Sequence, residues 1–169
     1  MVERGAFRAP ALAYSNRALA VNFLAHVKAR LRGSATAEIE DLILSIIIED
    51  QGGDLEELRK APGIGVDVGY VPLPHPPFLP PALANDLRAR MEAACRRSTP
   101  LPPEATRGLS GGVTHIFEVA DLLREALQQS KLEPLHLLAA IVCVESSPAA
   151  QVLRDAGITR DGVLRAARG

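Results

Sequence analysis

The sequence is poor in residues on which several functional classes depend. Tryptophan is absent, and aromatic residues make up 4% of the 169 positions. Nineteen basic residues face twenty acidic ones, giving a net charge of −1. This balance lacks the basic excess of a nucleic-acid-binding protein, and no aromatic residues are interleaved with the arginines for base stacking. Two cysteines, Cys95 and Cys143, are too few for a disulfide framework, so we expect reduced thiols and a cytoplasmic protein.

Three kinds of segment are also missing. No apolar run approaches the ~20 residues that span a bilayer, so no membrane association is expected. Residues 1–10 include arginines but lack the apolar core of a signal peptide. The Gly-Lys pair required by a P-loop does not occur, so we expect no ATPase in this chain.

The abundant Ala, Leu and Arg favour helices. Apolar spacing, capping residues and stop signals predict helices over 15–31, 82–97, 110–129, 133–145, 148–156 and 160–167. Ser15 is the expected N-cap of the first helix, and Gly33 its stop. The β-branched run from Leu42 to Ile48 fits either a helix or a buried strand.

An internal repeat resolves that ambiguity. A gapless shift of 95 residues places Ser15 on Ser110, Glu38 on Glu133, and Leu42 on Leu137. The second copy of the apolar run opens with Glu133-Pro134 and contains Leu-Leu-Ala-Ala, which favours a helix. We therefore expect both copies, 39–50 and 134–145, to be the central buried helices, and residues 14–64 and 109–159 to superimpose by an approximate twofold rotation.

Prolines dominate the region between the copies. They lie at Pro72, Pro74, Pro76, Pro77, Pro80, Pro81, Pro100, Pro102 and Pro103. Because proline fixes φ and removes a backbone donor, this composition predicts an extended linker. Residues 82–97, between the two proline clusters, are expected to form an isolated helix.

Several segments resemble the Clp repeat. Residues 135–142, Leu-His-Leu-Leu-Ala-Ala-Ile-Val, resemble its T-E-H-I/L-L-L-A/G-L-L run, and residues 149–158 resemble its V-A-x-x-V-L-x-x-L-G-V segment. Leu109-Ser110 stands where the family opens its first helix. The first copy offers Tyr14-Ser15-Asn16-Arg17-Ala18 and residues 39–44 in the same order. The chain therefore resembles the amino-terminal domain of Clp/Hsp100 AAA+ unfoldases, as a divergent member.

This resemblance implies an all-α fold, a pseudo-twofold bundle of two four-helix repeats with a Pro-rich connection. Residues 1–169 would form one domain, with repeat one at 14–64, a linker with a helix at 66–108, and repeat two at 109–168. Two departures stand out: Asp41 replaces the family histidine, and Leu135 replaces the family glutamate. The prolines are expected to remove or remodel the fourth helix of repeat one.

The resemblance also implies binding rather than catalysis. Such domains recruit protein substrates or adaptors to a Clp-type ATPase or protease, either as part of a longer ATPase or as a stand-alone protein. Family members that recognise phosphorylated arginine use the Glu of T-E-H and the Ser/Thr that opens the first helix. Ser15 and Glu40 match this pattern, whereas Ser110 is accompanied by Leu135, so the resemblance implies such a site in repeat one only. Glu40 equally suits the role of an acidic residue at a helix N-terminus.

Ile48 and Cys143 are equivalent by the shift and stand where the family run turns polar. If exposed, they would present matched apolar spots for a partner helix or a second copy of the protein; otherwise they thicken the core. Eight acidic residues between 38 and 57 either form a solvated face or an acidic dock for basic substrates.

No catalytic residue, metal site or cofactor is predicted. His136 and Cys143 share a helix face but lie ~10 Å apart along the axis, too far for a nucleophile pair. The histidines lack metal-ligand spacing. The alternative to a binding module is a small helical enzyme or regulator that holds a small ligand in the cleft between the repeats.

Overall fold

The computed structural model describes residues 13–53, 75–95, 99, 101–105, 107–144 and 146–169. Within them lie seven α-helices: α1 Asn16–Leu31, α2 Ile39–Asp50, α3 Pro81–Ala94, α4 Gly111–Ala126, α5 Pro134–Val144, α6 Pro148–Asp155 and α7 Arg160–Arg168. Two short strands, β1 Thr36–Ala37 and β2 Gly108–Leu109, pair in parallel. The expected all-α fold is confirmed. The parts of repeat one and of the linker at 54–74 lie outside the described residues.

The first helix of each repeat begins and ends at the positions that the 95-residue shift predicts. Ser15 Oγ accepts the N–H of Ala18 at 3.0 Å, and Ser110 Oγ accepts the N–H of Val113 at 3.2 Å. Each hydroxyl satisfies an N–H that has no partner within its helix. At the other end, Gly33 has φ +85°, while the equivalent Gln128 adopts φ +55°. Gln128 is the one non-glycine residue with positive φ among those described.

The apolar runs form the central helices, as expected, and the strand alternative is wrong. Every residue of α2 except Glu40 is buried. In α5, Pro134 and residues 136–142 are buried. Among the described residues no single helix is long and apolar enough to cross a membrane. Helices α5 and α6 would be so only together, and they are bent by 104° at their junction.

Among the described residues, two backbone contacts that are related by the twofold join the repeats. In the Ala37–Leu109 seam, Ala37 pairs with Leu109 across β1 and β2, and Ser110 N donates to Ala37 O at 2.9 Å. In the Tyr14–Leu132 seam, Tyr14 forms a parallel bridge with Leu132, and Ser15 N donates to Leu132 O at 3.0 Å. The 95-residue shift converts either seam into the other with the two strands exchanged. The fold is therefore a pseudo-twofold bundle of two helical repeats.

The packing of helix α3 differs from the expectation of an isolated helix in the linker. It is not an isolated linker helix, because it packs against α2; in repeat two, α7 likewise contacts α5. Its inward face buries Ala84, Leu87 and Met91, whose spacing of three and four residues forms an apolar stripe. Pro81 opens the helix at a position where proline is favoured, so the prolines start this helix rather than exclude it. Helix α3 occupies the position of a fourth helix in repeat one.

The extended segment before α3 is tied to the last turn of α2. Asp50 accepts the N–H groups of Phe78 and Leu79 at 2.8 and 2.9 Å. Glu49 accepts two hydrogen bonds from Arg17, at 2.7 and 3.0 Å, and its Oε1 lies 3.0 Å from His75 Nε2. Both carboxylates are buried, and each has hydrogen-bond partners, as buried charges require. Residues 75–79 therefore form part of repeat one.

Candidate functional site

The carboxyl ends of α2 and α5 differ, although they are equivalent in the twofold. Ile48 is 2% exposed and lies in the core cluster that also holds Leu79. Its equivalent Cys143 is exposed, and the next residue, Val144, is 43% exposed. Of the two alternatives left open by the sequence, Ile48 therefore thickens the core, whereas Cys143 is exposed. The end of α2 carries the docked segment 75–79, whose polar contacts are with Glu49 and Asp50.

The exposed end of α5, which comprises Cys143 and Val144, rests on ordered neighbours. Arg154 of α6 donates from Nε to Val142 O at 3.1 Å. Ala149, Ala150 and Leu153 of α6 are buried. The two exposed residues at this end of α5 therefore lie next to a backbone carbonyl that α6 holds in place.

The helix starts place the predicted Ser and Glu residues at different seams. Ser110 lies at the Ala37–Leu109 seam, and a Cβ at Gly112 would lie 3.8 Å from the Ile39 side chain, beside Glu40 in sequence. Ser15 lies at the Tyr14–Leu132 seam. The structure therefore brings Ser110, rather than Ser15, to the helix start that carries Glu40.

Both serine hydroxyls already cap their own helices, and Glu40 is half-buried in the first turn of α2. Each of the three residues has a role in helix initiation that needs no ligand. In a site of the kind that the resemblance implies, Glu40 of repeat one would therefore be combined with Ser110 of repeat two. The 95-residue shift does not reveal this pairing, because it aligns Ser15 with Ser110 without showing which serine lies near Glu40.

Asp41 and His136, equivalent in the two repeats, receive the same hydrogen bond. Asp41 Oδ2 accepts the N–H of Glu38 at 2.8 Å, and His136 Nδ1 accepts the N–H of Glu133 at 2.8 Å. Asp41 also accepts a bidentate pair from Arg32, at 2.7 and 2.5 Å. The hydrogen bond to Asp41, and secondarily its charge, raises the pKa of Arg32 against the opposing effect of burial. The departure from the family histidine at position 41 therefore preserves the cap.

The second ring nitrogen of His136 starts a hydrogen-bond chain. Because Nδ1 is an acceptor, Nε2 carries the proton and donates to Gln129 Oε1. Gln129 Nε2 in turn donates to Ala167 O at 2.6 Å, near the end of α7. Burial, and then the nearby Arg124 cation, lower the pKa of His136. The ring is held neutral and serves a structural function.

A cleft of about 400 Å³, part of it open to solvent, lies within repeat one between α1, α2 and α3. Its lining residues are Lys28, Leu31, Arg32, Asp41, Leu44, Glu92 and Cys95. The charges are already matched, since Arg32 pairs with Asp41, and Lys28 Nζ lies 4.0 Å from Glu92. This is not the cleft between the repeats that the small-ligand alternative assumed.

The side chains of His136 and Cys143 lie at opposite ends of α5. His136 is buried at the start of α5, and Cys143 is exposed near its end. In the described part of the chain no cluster of three His, Cys, Asp or Glu side chains is placed to hold a metal ion.

The pseudo-twofold all-α fold of this chain is similar to the fold of a Clp amino-terminal domain. No protein-family profile matches the sequence, and no curated protein matches it. A solved structure from a study of a malarial protein secretion system shares 15% identity, covering 92% of this chain and 95% of that one, with a TM-score of 0.66. The amino-terminal domain of the caseinolytic protease-associated chaperone ClpD from Arabidopsis thaliana shares 18% identity, covering 92% and 94%, with a TM-score of 0.59.

Proposed function

We propose that this domain is a protein-binding module that recruits substrates or adaptors to a Clp-type AAA+ unfoldase or its protease. It would act in the cytoplasm, either as a domain of a longer ATPase or as a separate protein. Support comes from the fold, which is that of the amino-terminal domain of a caseinolytic protease-associated chaperone.

The observation that carries the proposal is the exposed end of α5. At the equivalent place in repeat one, an extended segment with a proline pair and an aromatic residue, 75–79, docks on α2. Repeat two presents Cys143 and Val144 to solvent there. The end of α5 would accept an apolar segment of a partner protein at the equivalent place, through contacts with Val144 rather than through the carboxylate of Glu49 that faces His75 in repeat one.

A pull-down from the native lysate tests this function, with the wild-type domain, Val144→Glu and Leu122→Glu as baits. Leu122 on α4 is 64% exposed, so its variant controls for adding a charge to an exposed apolar position. We expect wild type and Leu122→Glu to recover an identified Clp ATPase, protease subunit or adaptor. Val144→Glu should recover at least about tenfold less, because a charge at an apolar contact costs over 1.4 kcal/mol. Failure of the wild type to recover any such protein, or equal recovery by all three baits, contradicts the proposal.

A further inference from the structure

We propose that the Tyr14–Leu132 seam is an acid-sensitive joint and that its twofold equivalent, the Ala37–Leu109 seam, is not. Mild acid would then loosen one of the two backbone contacts between the repeats while the other stays closed. The inference concerns the mechanics of the domain and does not depend on the proposed function.

The sensitive element is the hydrogen bond from Glu133 N–H to His136 Nδ1, 2.8 Å long. Glu133 directly follows Leu132, whose N–H donates to Ala13 O at 2.8 Å and whose carbonyl accepts from Ser15 N. The ring is fully buried and also bonded to Gln129 through Nε2. The neutral imidazole therefore fixes the residue adjoining the seam.

Protonation reverses the role of Nδ1. The new N–H on the ring would face the N–H of Glu133, so that two donors meet and the cap is lost. The other nitrogen, Nε2, is a donor in both states and can keep its bond to Gln129. The disruption is therefore directed at Glu133 and, through it, at the pairing of Leu132 with Ala13 and Ser15.

The Ala37–Leu109 seam has a carboxylate in the equivalent position. Asp41 accepts the N–H of Glu38, next to Ala37, and is held by the guanidinium of Arg32. An ionised carboxylate offers only acceptor atoms to this N–H, whereas an imidazole nitrogen changes from acceptor to donor when it takes up a proton. The two seams share the equivalent bonds from Ser15 N to Leu132 O and from Ser110 N to Ala37 O, and the Ala37–Leu109 seam has a further bond from Arg107 N to Ala35 O. The capping side chains beside the two seams differ in chemistry.

Two charged groups of α4 act on the His136 ring. Arg124, fixed by bonds to Asp121 and to Gln129 O, disfavours a second positive charge, whereas Asp121 favours it. Burial and Arg124 prevail, so the pKa of His136 lies below its ordinary value. When the seam opens, the ring is exposed to water, so that burial no longer lowers the pKa of His136. The open form therefore gains population as the pH falls below ~6.5.

Amide hydrogen exchange of the wild-type chain between pH 7.5 and 5, corrected for intrinsic rates, tests the proposal. Protection of the Ser15, Leu132 and Glu133 amides should fall by about tenfold per pH unit below ~6.5, until the ring titrates in the closed form as well. Protection of the Ser110 and Glu38 amides should fall only as far as the stability of the whole domain falls, to which the lowered pKa of His26 contributes, because no imidazole caps their seam.

The variant His136→Asn keeps an acceptor oxygen near the position of Nδ1 but does not titrate. The pH dependence of protection at Ser15 and Leu132 should disappear in this variant. If the variant does not fold, the wild-type comparison of the two seams still decides. Equal pH dependence at both seams, or none at the Tyr14–Leu132 seam, overturns the inference.

Discussion

Asp41 and His136 lie 95 residues apart in sequence and accept the same bond, from the backbone N–H of the residue three positions earlier. A carboxylate thus caps the start of α2, and an imidazole caps the equivalent start of α5. The partners behind them differ, because Arg32 supports Asp41 while Gln129 supports His136. The two repeats keep the geometry of this position and not its chemistry.

Replacing Asp41 should separate its two roles. Asp41→Ala removes both the cap and the ion pair to Arg32, and we expect a loss of about 3 kcal/mol of unfolding free energy. Asp41→Asn retains an acceptor for Glu38 N–H and should lose less. Urea denaturation at pH 7 measures both variants. Equal losses for the two would contradict a capping role for Asp41.

Gln128 offers a stabilising substitution. Its φ of +55° is a conformation that glycine adopts without strain, and the equivalent residue in repeat one is Gly33. Gln128→Gly should therefore raise the unfolding free energy by about 0.5–1 kcal/mol. The matched control is Gln151→Gly, at an exposed position inside α6, which should lower it by up to about 1 kcal/mol. Thermal unfolding distinguishes a gain of stability from a loss. Lower stability of Gln128→Gly would contradict the inference that the positive φ of residue 128 is strained.

Helix α3 should prove necessary for stability. Leu87 is fully buried against α2, so Leu87→Ala should cost about 2–5 kcal/mol through lost burial and the cavity left behind. Arg90, on the outer face of the same helix, pairs with Asp86 at an exposed site. Arg90→Ala should change stability by no more than about 0.5 kcal/mol. Similar small effects of both variants, measured by urea denaturation, would mean that α3 does not belong to the core.

His26 should lower stability as the pH falls. Burial, reinforced by the charge of Arg30, lowers its pKa, and its Nδ1 is buried without a hydrogen-bond partner. A lowered pKa means that the unfolded chain binds the proton more tightly, so this stability is present above ~6.5 and is lost below it. His26→Leu should therefore stabilise the domain by about 1 kcal/mol at pH 7.5 and by more at pH 5.

The control for that prediction is His115→Leu, because His115 lies on the exposed face of α4. Its stability should stay within about 0.5 kcal/mol of wild type at both pH values. Denaturant midpoints at the two pH values provide the comparison. A gain for His26→Leu that shrinks on acidification would contradict a lowered pKa for His26 in the folded chain.

The fold was largely predictable because several kinds of sequence signal agreed. Ser15 and Ser110 marked helix starts as caps, and the equivalence of the two apolar runs converted an ambiguous segment into α2. The place of α3 was not predicted, since the proline clusters outweighed its apolar stripe of Ala84, Leu87 and Met91. The spacing of these three apolar residues was the sequence signal that could have predicted the packing of α3.

The site was less predictable because it depends on contacts distant in sequence. The burial of Ile48 accompanies a segment that docks some thirty residues later in the chain, and no periodicity reports such docking. The proximity of Ser110 to the start of α2 follows from the exchange of strands between the repeats. The 95-residue shift shows which position of repeat one corresponds to which position of repeat two. It does not show which residues of the two repeats are in contact.

The exchange of strands also makes the two repeats complementary fragments. Repeat one supplies the edges at Tyr14 and Ala37, and repeat two supplies the edges at Leu132 and Leu109 that cover them. If the chain is cut between α3 and β2, each half is left with two unsatisfied backbone edges and a central apolar helix with an uncovered face. Neither half is self-sufficient, so the fold should be recovered only when the two polypeptides are mixed and reassociate in trans.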